Sequence, residues 1–327
     1  MNFLNNKTIL ITGGTGSFGN AAVEFLTSKC KLKKIIIFSR DENKQFEMRK
    51  KFKNKNLRFF LGDVRDEERL IMALKEVDYV IHAAAQKQVP AAEYNPFECI
   101  KTNVYGAQSI ISAAIKTGVK RVIALSTDKA CNPINLYGAT KLCAEKLFVN
   151  ANQLSGTRGA IFSVVRYGNV IASRGSVIPY FKELIKKNKK ALPLTHEEMT
   201  RFFITLPDSI IFVINSLKNM VGGEIAIPKM NSIFIKDLIK IINAKAKIKI
   251  IGVRPGEKIH EILCAEDESK FIYEHKDSFK IYPDYLRNKK KLGKKVKAGF
   301  TYISNSDKYL NKKKIFKLIK KSKVLKS

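Results

Sequence analysis

The sequence has few cysteines, and none of them forms a pair of the metal-binding or redox type. Its five cysteines are scattered, and no CxxC spacing occurs. An odd number of isolated cysteines argues against a disulfide framework or a structural zinc site and favours a reducing compartment. The positions concerned are Cys30, Cys99, Cys131, Cys143 and Cys264. We therefore predict a protein without a metal site.

Long apolar segments are also missing. The longest apolar stretch, near Ile210–Ile214, is far shorter than the roughly 20 residues that a helix needs to cross a bilayer. The first residues, Met1-Asn2-Phe3-Leu4, lead almost directly into a strand and lack the basic and apolar regions of a signal peptide. These features predict a cytoplasmic protein without a membrane span.

Acidic residues are scarce relative to basic ones. Lys and Arg number 61 against 29 Asp and Glu, which gives a formal net charge of +32. Such a charge can attract nucleic acid or an anionic membrane. Lys, Ile and Asn are nevertheless frequent throughout, and the basic residues form no single block before the C-terminal tail. We therefore favour a generally lysine-rich composition and expect no nucleic-acid partner.

Short apolar runs alternate with longer amphipathic segments up to about Val170. Six of these runs have the length and composition of strands: Thr8–Thr12, Lys34–Phe38, Leu57–Leu61, Tyr79–Ala83, Arg121–Ser126 and Phe162–Arg166. Near-continuous apolar strands separated by helices indicate a parallel sheet covered on both faces. The pattern predicts an α/β fold with a Rossmann-like, doubly wound parallel sheet.

The pattern loosens after Val170, where charged loops are frequent and helices predominate. We predict a Rossmann domain over 1–170, a smaller substrate-binding lobe over 171–287 at the carboxyl ends of the strands, and a basic tail over 288–327. Apolar residues recur at near-helical spacing in the tail: Tyr309, Leu310, Ile315, Phe316, Leu318 and Ile319. This spacing favours a docked helix with a solvated basic face over a helix on a membrane surface.

A glycine-rich turn follows the first strand and opens a helix. Gly13, Gly16 and Gly19 have the spacing GxxGxxG. In dinucleotide-binding folds the first glycine permits a tight turn, the second lets the backbone approach a pyrophosphate, and the third lets helix and strand pack closely. The position of this motif, at the first turn from strand to helix, predicts a dinucleotide site.

The end of the second strand indicates which dinucleotide binds. An acidic residue there holds the ribose 2′-hydroxyl of NAD, but this strand ends Ser39-Arg40-Asp41. Ser39 and Arg40 can bind a 2′-phosphate, so we predict NADP, and Asp41 keeps NAD as the alternative. Asp63, after the third strand, is expected either to accept a hydrogen bond from the adenine amino group or to cap the next helix.

Tyr137 and Lys141 form a YxxxK motif after the fifth strand. Residues four apart lie on one helix face, so we expect the ammonium of Lys141 beside the phenol of Tyr137. A phenol with an ordinary pKa of about 10 needs a nearby cation to act as a base near neutrality. Lys141 can also hold the nicotinamide ribose. Ser126 and Thr127, at the end of the strand, are expected to supply a hydroxyl that polarises the substrate oxygen.

The motifs TGGTGSFG, HAAA at 82–85 and YGATK together resemble the extended short-chain dehydrogenase/reductase family. The segment Ser126-Thr127-Asp128-Lys129 is similar to that of the inverting UDP-N-acetylglucosamine 4,6-dehydratases. Retaining dehydratases typically carry Thr-Asp-Glu there, and 4-epimerases usually lack the acid/base pair. The similarity extends from about Lys7 to Glu268 and includes IGVRPGEKIHE at 251–261.

This resemblance implies a lyase that removes water from UDP-N-acetylglucosamine to give UDP-2-acetamido-2,6-dideoxy-β-L-arabino-hexos-4-ulose. Tyr137 would take the O4 proton while hydride leaves C4, and Lys129, if neutral, would remove the C5 proton. Asp128 would help water to leave C6, and hydride would return to C6, so that NADP is recycled. The resemblance also implies a homo-oligomer, either a dimer or a hexamer.

The same resemblance assigns further residues to the two binding sites. The dinucleotide site would also include Thr15, Ser17, Phe18, Val64, Ala83, Ala84 and Asn103, and Lys87 would lie near both nicotinamide and substrate. The UDP-sugar site would comprise Asn169, Arg174, Val177, Thr195, Arg201, Arg254 and Glu257. Arginine suits the pyrophosphate because it pairs with phosphate oxygens bidentately, and Glu257 could hold the uridine ribose.

Two other functions are compatible with the fold. A UDP-sugar 4-epimerase would share the sheet, the cofactor and the nucleotide site, and the Asp128-Lys129 pair argues against it. A non-catalytic dinucleotide-binding module that binds RNA or a membrane would account for the charge, but the intact Tyr137 and Lys141 argue against that function.

Overall fold

A computed structural model of the protein describes residues 2–156, 159–171, 173, 175–189, 191–286 and 292–322. Along the first half of the chain, strands and helices alternate. The strands are β1 (Thr8–Thr12), β2 (Lys34–Ser39), β3 (Leu57–Leu61), β4 (Tyr79–His82), β5 (Arg121–Thr127), β6 (Ile161–Tyr167), β7 (Asn169–Val170), β8 (Ala191–Leu194), β9 (Thr200–Ile204), β10 (Ile225–Pro228), β11 (Asn231–Phe234), β12 (Lys247–Ile250), β13 (Ile262–Cys264), β14 (Ile272–Glu274), β15 (Ser278–Ile281), β16 (Lys294–Lys295) and β17 (Tyr302–Ile303).

The helices surround these strands and form much of the second lobe. They are α1 (Ser17–Lys29), α2 (Glu42–Lys51), α3 (Glu67–Ala73), α4 (Val89–Tyr94), α5 (Pro96–Ile100), α6 (Gly106–Thr117), α7 (Leu136–Ser155), α8 (Val177–Lys186), α9 (Leu206–Asn219), α10 (Ile235–Ile242) and α11 (Lys312–Lys321). None of the helices within the described ranges is long and apolar enough to cross a membrane.

One large sheet forms the centre of the fold, in the order β16-β14-β15-β10-β6-β5-β4-β1-β2-β3. Neighbouring strands from β3 to β10 are parallel, whereas β15, β14 and β16 continue the sheet in antiparallel orientation. The strand order reverses at β1, which lies between β2 and β4. The connections therefore diverge there and leave a crevice at the carboxyl ends of the strands, where ligands bind in this class of fold.

The apolar composition of the central strands accounts for their burial. Ile9, Leu10 and Ile11 of β1 have no exposed surface, as expected for strands covered on both faces. Around the sheet, α1 contacts α9, and α3 contacts α6. The predicted doubly wound α/β architecture is confirmed, and its rigid centre holds the loops that follow β1, β2, β4 and β5 at one edge.

A second, smaller apolar cluster lies in the lobe formed by α8, β8, α10, β12 and α11. Ile178 and Phe181 of α8 and Leu238 of α10 are buried in it. Helix α11 contributes Ile315 and Ile319, both fully buried, while most of its lysines are exposed. The tail therefore contains a docked helix with a basic outer face, as its apolar spacing predicts.

The chain beyond residue 170 also contributes to the large sheet. Strand β10 pairs with β6 in parallel, and β14, β15 and β16 extend the sheet beyond it. The division into 1–170, 171–287 and 288–327 stays a prediction, but the sheet itself does not end at residue 170. Because the lobe and the sheet share these strands, residues of the lobe are held at fixed positions relative to the carboxyl ends of β1, β4 and β5.

Candidate active site

The glycine-rich turn joins β1 to α1. Gly13 has a left-handed backbone with φ of +62°, and a Cβ there would lie 2.8 Å from the backbone of Ala84. A Cβ on Gly19 would lie 2.0 Å from the carbonyl oxygen of Gly14, so only glycine allows α1 to pack this closely on the turn. Helix α1 begins after Gly16 without a side-chain cap. Helix N-termini bind anions, because the helix itself does not satisfy its first N–H groups.

A single cleft of about 1360 Å³ contains both this turn and the predicted catalytic residues. Thr12 fixes one wall, because its hydroxyl accepts hydrogen bonds from the N–H groups of Ala83 and Ala84 at 3.2 and 3.3 Å. The predicted dinucleotide residues that line the cleft are Gly13, Thr15, Gly16, Ser17, Phe18, Ser39, Arg40, Val64, Ala83, Ala84, Lys87, Tyr137 and Lys141. Helix N–H groups for a pyrophosphate, beside a hydroxyl and a guanidinium at the end of β2, fit a nicotinamide dinucleotide.

The end of β2 presents Ser39 and Arg40 to the cleft. Arg40 is exposed and donates a hydrogen bond to Asp63 Oδ2 at 3.2 Å. Asp41 caps α2 by accepting from the N–H of Lys44 at 2.9 Å. Asp41 also lines the cleft.

Asp63 lies behind the cleft lining and binds arginines. Its carboxylate accepts from the Arg65 side chain at 2.7 and 3.0 Å as well as from Arg40. Burial raises the pKa of this carboxyl, but its bonds to Arg65 outweigh burial and leave the pKa below its ordinary value. The structure therefore gives Asp63 an ion-pairing role, and the expected bond to the adenine amino group stays a prediction.

Asp128 and Lys129 lie in a 3-10 turn (Asp128–Ala130) directly after β5. The Thr127 hydroxyl donates to Asp128 Oδ1 at 2.9 Å, and the Lys129 ammonium donates to the same oxygen at 3.0 Å. Asp128 Oδ2 is buried and has no hydrogen-bond partner among the described residues. A Cβ on Gly168 would lie 2.8 Å from Phe202 Cβ and 3.3 Å from this oxygen, so a side chain there would crowd both residues.

Lys129 is held by two carboxylates. Besides Asp128, its Nζ donates to Glu261 Oε1 at 2.9 Å. Burial lowers the pKa of the ammonium, but Asp128 and Glu261 outweigh burial and raise it above the ordinary value. These two carboxyl groups therefore stabilise the ammonium form of Lys129 in the protein without substrate, and the step that requires a neutral Lys129 stays a prediction. Burial and the neighbouring Glu261 raise the pKa of Asp128.

Tyr137 and Lys141 lie on the first turns of α7, and both are buried. Burial raises the pKa of Tyr137 to about 12, an effect that Lys129 and a hydrogen bond with Thr127 partly offset. The Lys141 ammonium donates to the carbonyl oxygen of Leu125 at 2.7 Å, and burial lowers its pKa to about 8. The expected effect of Lys141 on the phenol stays a prediction. Lys129 is the cation that lowers the pKa of this phenol most.

Two further predicted residues differ in their access to the cleft. Ser126 lines it, and its buried hydroxyl has no hydrogen-bond partner within the described ranges, so this group is available to a substrate oxygen. Asn103 instead lies behind the lining, on a π-helical turn (Lys101–Tyr105). Its amide binds both backbone groups of Gln86 at 2.8 and 2.9 Å and the Thr140 hydroxyl at 3.0 Å. Asn103 therefore ties the loop after β4 to α7.

The far end of the cleft is formed by the lobe. The predicted substrate residues that line it are Lys87, Asn169, Val177, Thr195, Arg201, Arg254 and Glu257, while Arg174 lies outside the described residues. Arg254 is exposed at the cleft. Arg201, in contrast, donates to three backbone carbonyls at 2.7, 2.8 and 2.9 Å and lies 3.7 Å from Glu257. The Arg201 guanidinium is therefore turned toward carboxylates of the site and not toward solvent.

Sequence reasoning missed two charged groups of this site. Glu261 contacts Lys129 from the lobe, and a buried network under the site joins Arg166 to Glu145 and Glu268. Both glutamates of the lobe fall within the stretch that carries the family resemblance, up to Glu268. The local sequence gives no spacing that would connect either one to a partner more than 100 residues away, so only the fold brings them together.

A parallel doubly wound sheet, a glycine turn at its first strand and a Tyr-x-x-x-Lys pair at the same cleft define a class of enzyme. These features are those of an extended short-chain dehydrogenase/reductase, which uses a nicotinamide dinucleotide. No group of His, Cys, Asp or Glu side chains in the described part of the chain has the arrangement of a metal site.

Within this class, the chain belongs to the family described as "Polysaccharide biosynthesis protein", whose model matches residues 9–283. It is 52% identical over 326 residues to "UDP-N-acetylglucosamine 4,6-dehydratase (inverting)" of Campylobacter jejuni subsp. jejuni strain 81-176, covering 96% of this chain and 98% of that protein. It is 42% identical to "UDP-glucose 4-epimerase" of Rickettsia massiliae, with 96% and 95% coverage.

Solved structures agree with this assignment of the fold. Pen from Bacillus thuringiensis superposes with a TM-score of 0.90 at 38% identity and covers 98% of this chain and 99% of that one. DesIV, a dTDP-glucose 4,6-dehydratase from Streptomyces venezuelae, superposes with a TM-score of 0.70 at 22% identity, with 77% and 86% coverage. The latter likeness supports the fold alone.

Proposed function

We propose that the protein is an inverting UDP-N-acetylglucosamine 4,6-dehydratase. The observation that carries this proposal is the Asp128–Lys129 pair: Lys129 lines the same cleft as Tyr137 and the dinucleotide turn, and the buried Asp128 lies directly behind it, 3.0 Å from its ammonium. A 4,6-dehydratase needs an acid and a base for the C5–C6 elimination in addition to the group that deprotonates O4. The 52% identity over nearly the whole chain to the Campylobacter enzyme of that name supports the same function.

Tyr137 is the group placed to take the proton from O4. Ser126 and Thr127 offer hydroxyls beside it, and Ser126 has an unused donor for the sugar oxygen. When bound, the dinucleotide supplies a hydride acceptor for C4 and later returns the hydride to C6. Because burial holds the pKa of Tyr137 at about 12 in the free protein, the phenol needs further cationic charge, such as that of a nicotinamide, to act as a base near neutrality.

Asp128 and Lys129 serve the elimination that follows. The C4 ketone acidifies the C5 proton, the electrons of the C5–H bond form the C5–C6 double bond, and the C6–O bond breaks. Asp128, which burial and Glu261 keep prone to protonation, gives its proton to the leaving oxygen, so that water departs. Lys129 takes the C5 proton after passing on one of its own. A proton then added to the opposite face of C5 inverts that centre.

The dinucleotide is proposed to be NADP rather than NAD. Ser39 and Arg40 line the cleft at the end of β2, and Asp41 is engaged in capping α2. Arg40 currently bonds Asp63, and a 2′-phosphate would offer the guanidinium a stronger, doubly charged partner. Identification of the dinucleotide that copurifies with the protein, by mass spectrometry after acid release, distinguishes the two cofactors.

The lobe is proposed to bind the UDP part of the substrate. Arg254 is exposed at the cleft and is placed to meet the pyrophosphate, and Glu257 is the carboxylate nearest to it in sequence that lines the same wall. The residues proposed to contact the substrate are Lys87, Asn169, Arg174, Val177, Thr195, Arg201, Arg254 and Glu257. We further propose a cytoplasmic homo-oligomer, a dimer or a hexamer, which sedimentation of the purified protein would measure.

A UDP-sugar 4-epimerase is the second candidate, since the Rickettsia relative at 42% identity carries that name. Epimerisation requires only the C4 oxidation that Tyr137 serves and a return of hydride to the other face. Epimerisation includes no step that requires an acid and a base at Asp128 and Lys129. The presence of that pair at the cleft is therefore the feature that favours dehydration.

Proton NMR of the reaction with UDP-N-acetylglucosamine in D₂O tests the proposal. We expect a new C6 methyl signal, deuterium at C5 and the couplings of an L-arabino 4-ketosugar. A galacto epimer without a methyl signal would establish the epimerase, and a methyl signal with unchanged C5 configuration would establish a retaining dehydratase. Lys129→Met serves as the matched variant, because it should abolish the methyl signal in a dehydratase and leave an epimerase active.

A further inference from the structure

Glu261 lies beside Lys129 in the site, although the steps of the proposed dehydration assign it no role. Its side chain is 1% exposed. Oε1 accepts from Lys129 at 2.9 Å and lies 3.5 Å from Arg201 Nε. Oε2 is buried and has no hydrogen-bond partner within the described part of the chain. A buried carboxylate with one unused oxygen is costly unless the site uses it.

The lobe holds Glu261 in place through its backbone. The N–H of Glu261 donates to Ser304 Oγ at 2.9 Å, and the N–H of Ser304 donates back to the Glu261 carbonyl at 2.9 Å. The Ser304 hydroxyl also lies 2.7 Å from that of Thr200, next to Arg201. Glu261 is therefore held beside the pairing of β13 with β17.

Asp128 and Glu261 share one ammonium, since each accepts a hydrogen bond from Lys129 Nζ, at 3.0 and 2.9 Å. Two buried carboxyl groups that accept from one ammonium do not ionise independently, so the position of a proton taken up by either one depends on both. Burial and Glu261 raise the pKa of Asp128. Burial also raises that of Glu261, but Lys129 and Arg201 outweigh burial and hold it below its ordinary value.

We propose that Glu261 is a positioning residue that acts through Lys129 and receives the proton that Lys129 releases when it deprotonates C5. This inference rests on the dehydratase function proposed above. The C5 proton passes to Lys129, a proton of the ammonium passes to Glu261, and the proton of Asp128 leaves with the C6 oxygen as water. Asp128 starts protonated and ends anionic, while Glu261 does the opposite, so the net charge of the three groups does not change.

This constancy of charge favours the transfer inside a buried site. Once Asp128 has given up its proton, its negative charge raises the proton affinity of the neighbouring Glu261. The free Oε2 gives the arriving proton a position that no other described side chain occupies. The charged groups that act on Glu261 directly are Asp128 and Lys129 from the turn after β5, Arg201 from β9 and Lys258 from the preceding loop. Glu257 and His260 of that loop act on Arg201, and Tyr137 of α7 interacts with Lys129 and Asp128.

Glu261→Gln tests the proposal with an almost isosteric change. Single-turnover reactions in D₂O with UDP-N-acetylglucosamine are followed by the absorbance of the reduced nicotinamide and by NMR. We expect C5 deuteration and the methyl product to slow at least about a hundredfold. Oxidation at C4 should continue, so that the reduced nicotinamide accumulates. The alkaline limb of the pH profile should also move to lower pH, because Asp128 loses an anionic neighbour and holds its proton less tightly.

Glu257→Gln is the matched control, since it removes a carboxylate near Arg201 that is not bonded to Lys129. It should raise KM and leave the alkaline limb in place. Glu261→Asp keeps the negative charge but moves the carboxylate away from Lys129. It should slow C5 deuteration, and the alkaline limb of its pH profile should stay near that of the wild type. If Glu261→Gln unfolds below the assay temperature, Glu261→Asp is used for the test instead.

Two results would overturn the proposal: a Glu261→Gln enzyme with the wild-type alkaline limb and no accumulated reduced nicotinamide, or a Glu261→Asp enzyme with the wild-type rate of C5 deuteration. A wild-type enzyme that yields no methyl product at all contradicts the dehydratase function instead. The two failures are therefore distinguishable in the same set of reactions.

Discussion

Arg166 joins the sheet to the lobe beneath the active site. It has no exposed surface, and its guanidinium makes five hydrogen bonds: two to Glu145 at 2.7 and 3.0 Å, two to Glu268 at 2.9 and 3.0 Å, and one to the Leu263 carbonyl at 2.9 Å. Every N–H of the planar fork is used. We predict that Arg166→Met strongly destabilises the fold.

The magnitude follows from the burial of the partners. Glu145 is 1% exposed, so removal of the guanidinium leaves a buried carboxylate without the cation that is hydrogen-bonded to it. Breaking a buried pair by removing one partner costs about 3–5 kcal/mol. At about 2 °C per kcal/mol for a chain of this size, this corresponds to a fall in Tm on the order of 6–10 °C. Arg166→Lys keeps the charge but loses the fork geometry, so we expect an intermediate fall.

Thermal unfolding followed by circular dichroism at neutral pH measures this effect. The pH dependence provides a second check. The two bonds from Arg166, which outweigh burial, hold the pKa of Glu268 below its ordinary value, so this contribution to stability is present above the unfolded pKa of about 4.3 and is lost as pH falls. The difference between wild type and variant should therefore shrink below about pH 4. A variant that melts within about 2 °C of the wild type would refute the reasoning.

Three further predictions concern the site. Tyr137→Phe should lower kcat at least about a hundredfold with the dinucleotide still bound, as turnover and the copurified cofactor measure; wild-type turnover would contradict the role of the phenol. Arg40→Ala should weaken binding of NADP relative to NAD by about tenfold to a hundredfold, measured by titration of the apoprotein, and an unchanged ratio would contradict NADP selection. Burial, with Lys141 nearby, lowers the pKa of the folded-state His82 to about 3. Between this pH and about pH 6.5 the unfolded chain binds one more proton than the folded chain. The free energy of unfolding therefore falls as pH falls through this window. His82→Asn should flatten the slope of unfolding free energy against pH in this window, by up to about 1.4 kcal/mol per pH unit, and an unchanged slope in urea titrations would contradict this account.

The strands before residue 170 are predictable because each one is a continuous apolar run. Thr8–Thr12 and Leu57–Leu61 begin and end where the sequence places them. The strands that complete the sheet are not predictable in this way. Strand β14 has three residues and β16 has two, and such short segments have no local periodicity that would indicate a partner. Their place in the sheet depends on contacts between segments far apart in the chain.

The site was predictable to the extent that it is local. The stretch from Thr127 to Lys141 is continuous in sequence, and Thr127, Lys129, Tyr137 and Lys141 line the cleft, whereas Asp128 is buried behind it. The ionisation of the same residues was not predictable. Glu261 is 132 residues from Lys129 in the chain, and its carboxylate stabilises the charged form of that lysine. A motif specifies which groups are present, whereas the charges around them depend on the tertiary structure.

This dependence links the stability of the lobe to the chemistry of the site. Arg166 binds the carbonyl of Leu263, two residues after Glu261 in the same segment. Tyr137 and Lys141 lie on α7, which Arg166 also bonds through Glu145. Glu268→Gln weakens only the bonds of Arg166 to the lobe, so it should slow the elimination at C5 and C6 more than the oxidation at C4. Reduced nicotinamide should accumulate in this variant too, and an equal loss in both steps would indicate that the sheet alone organises the site.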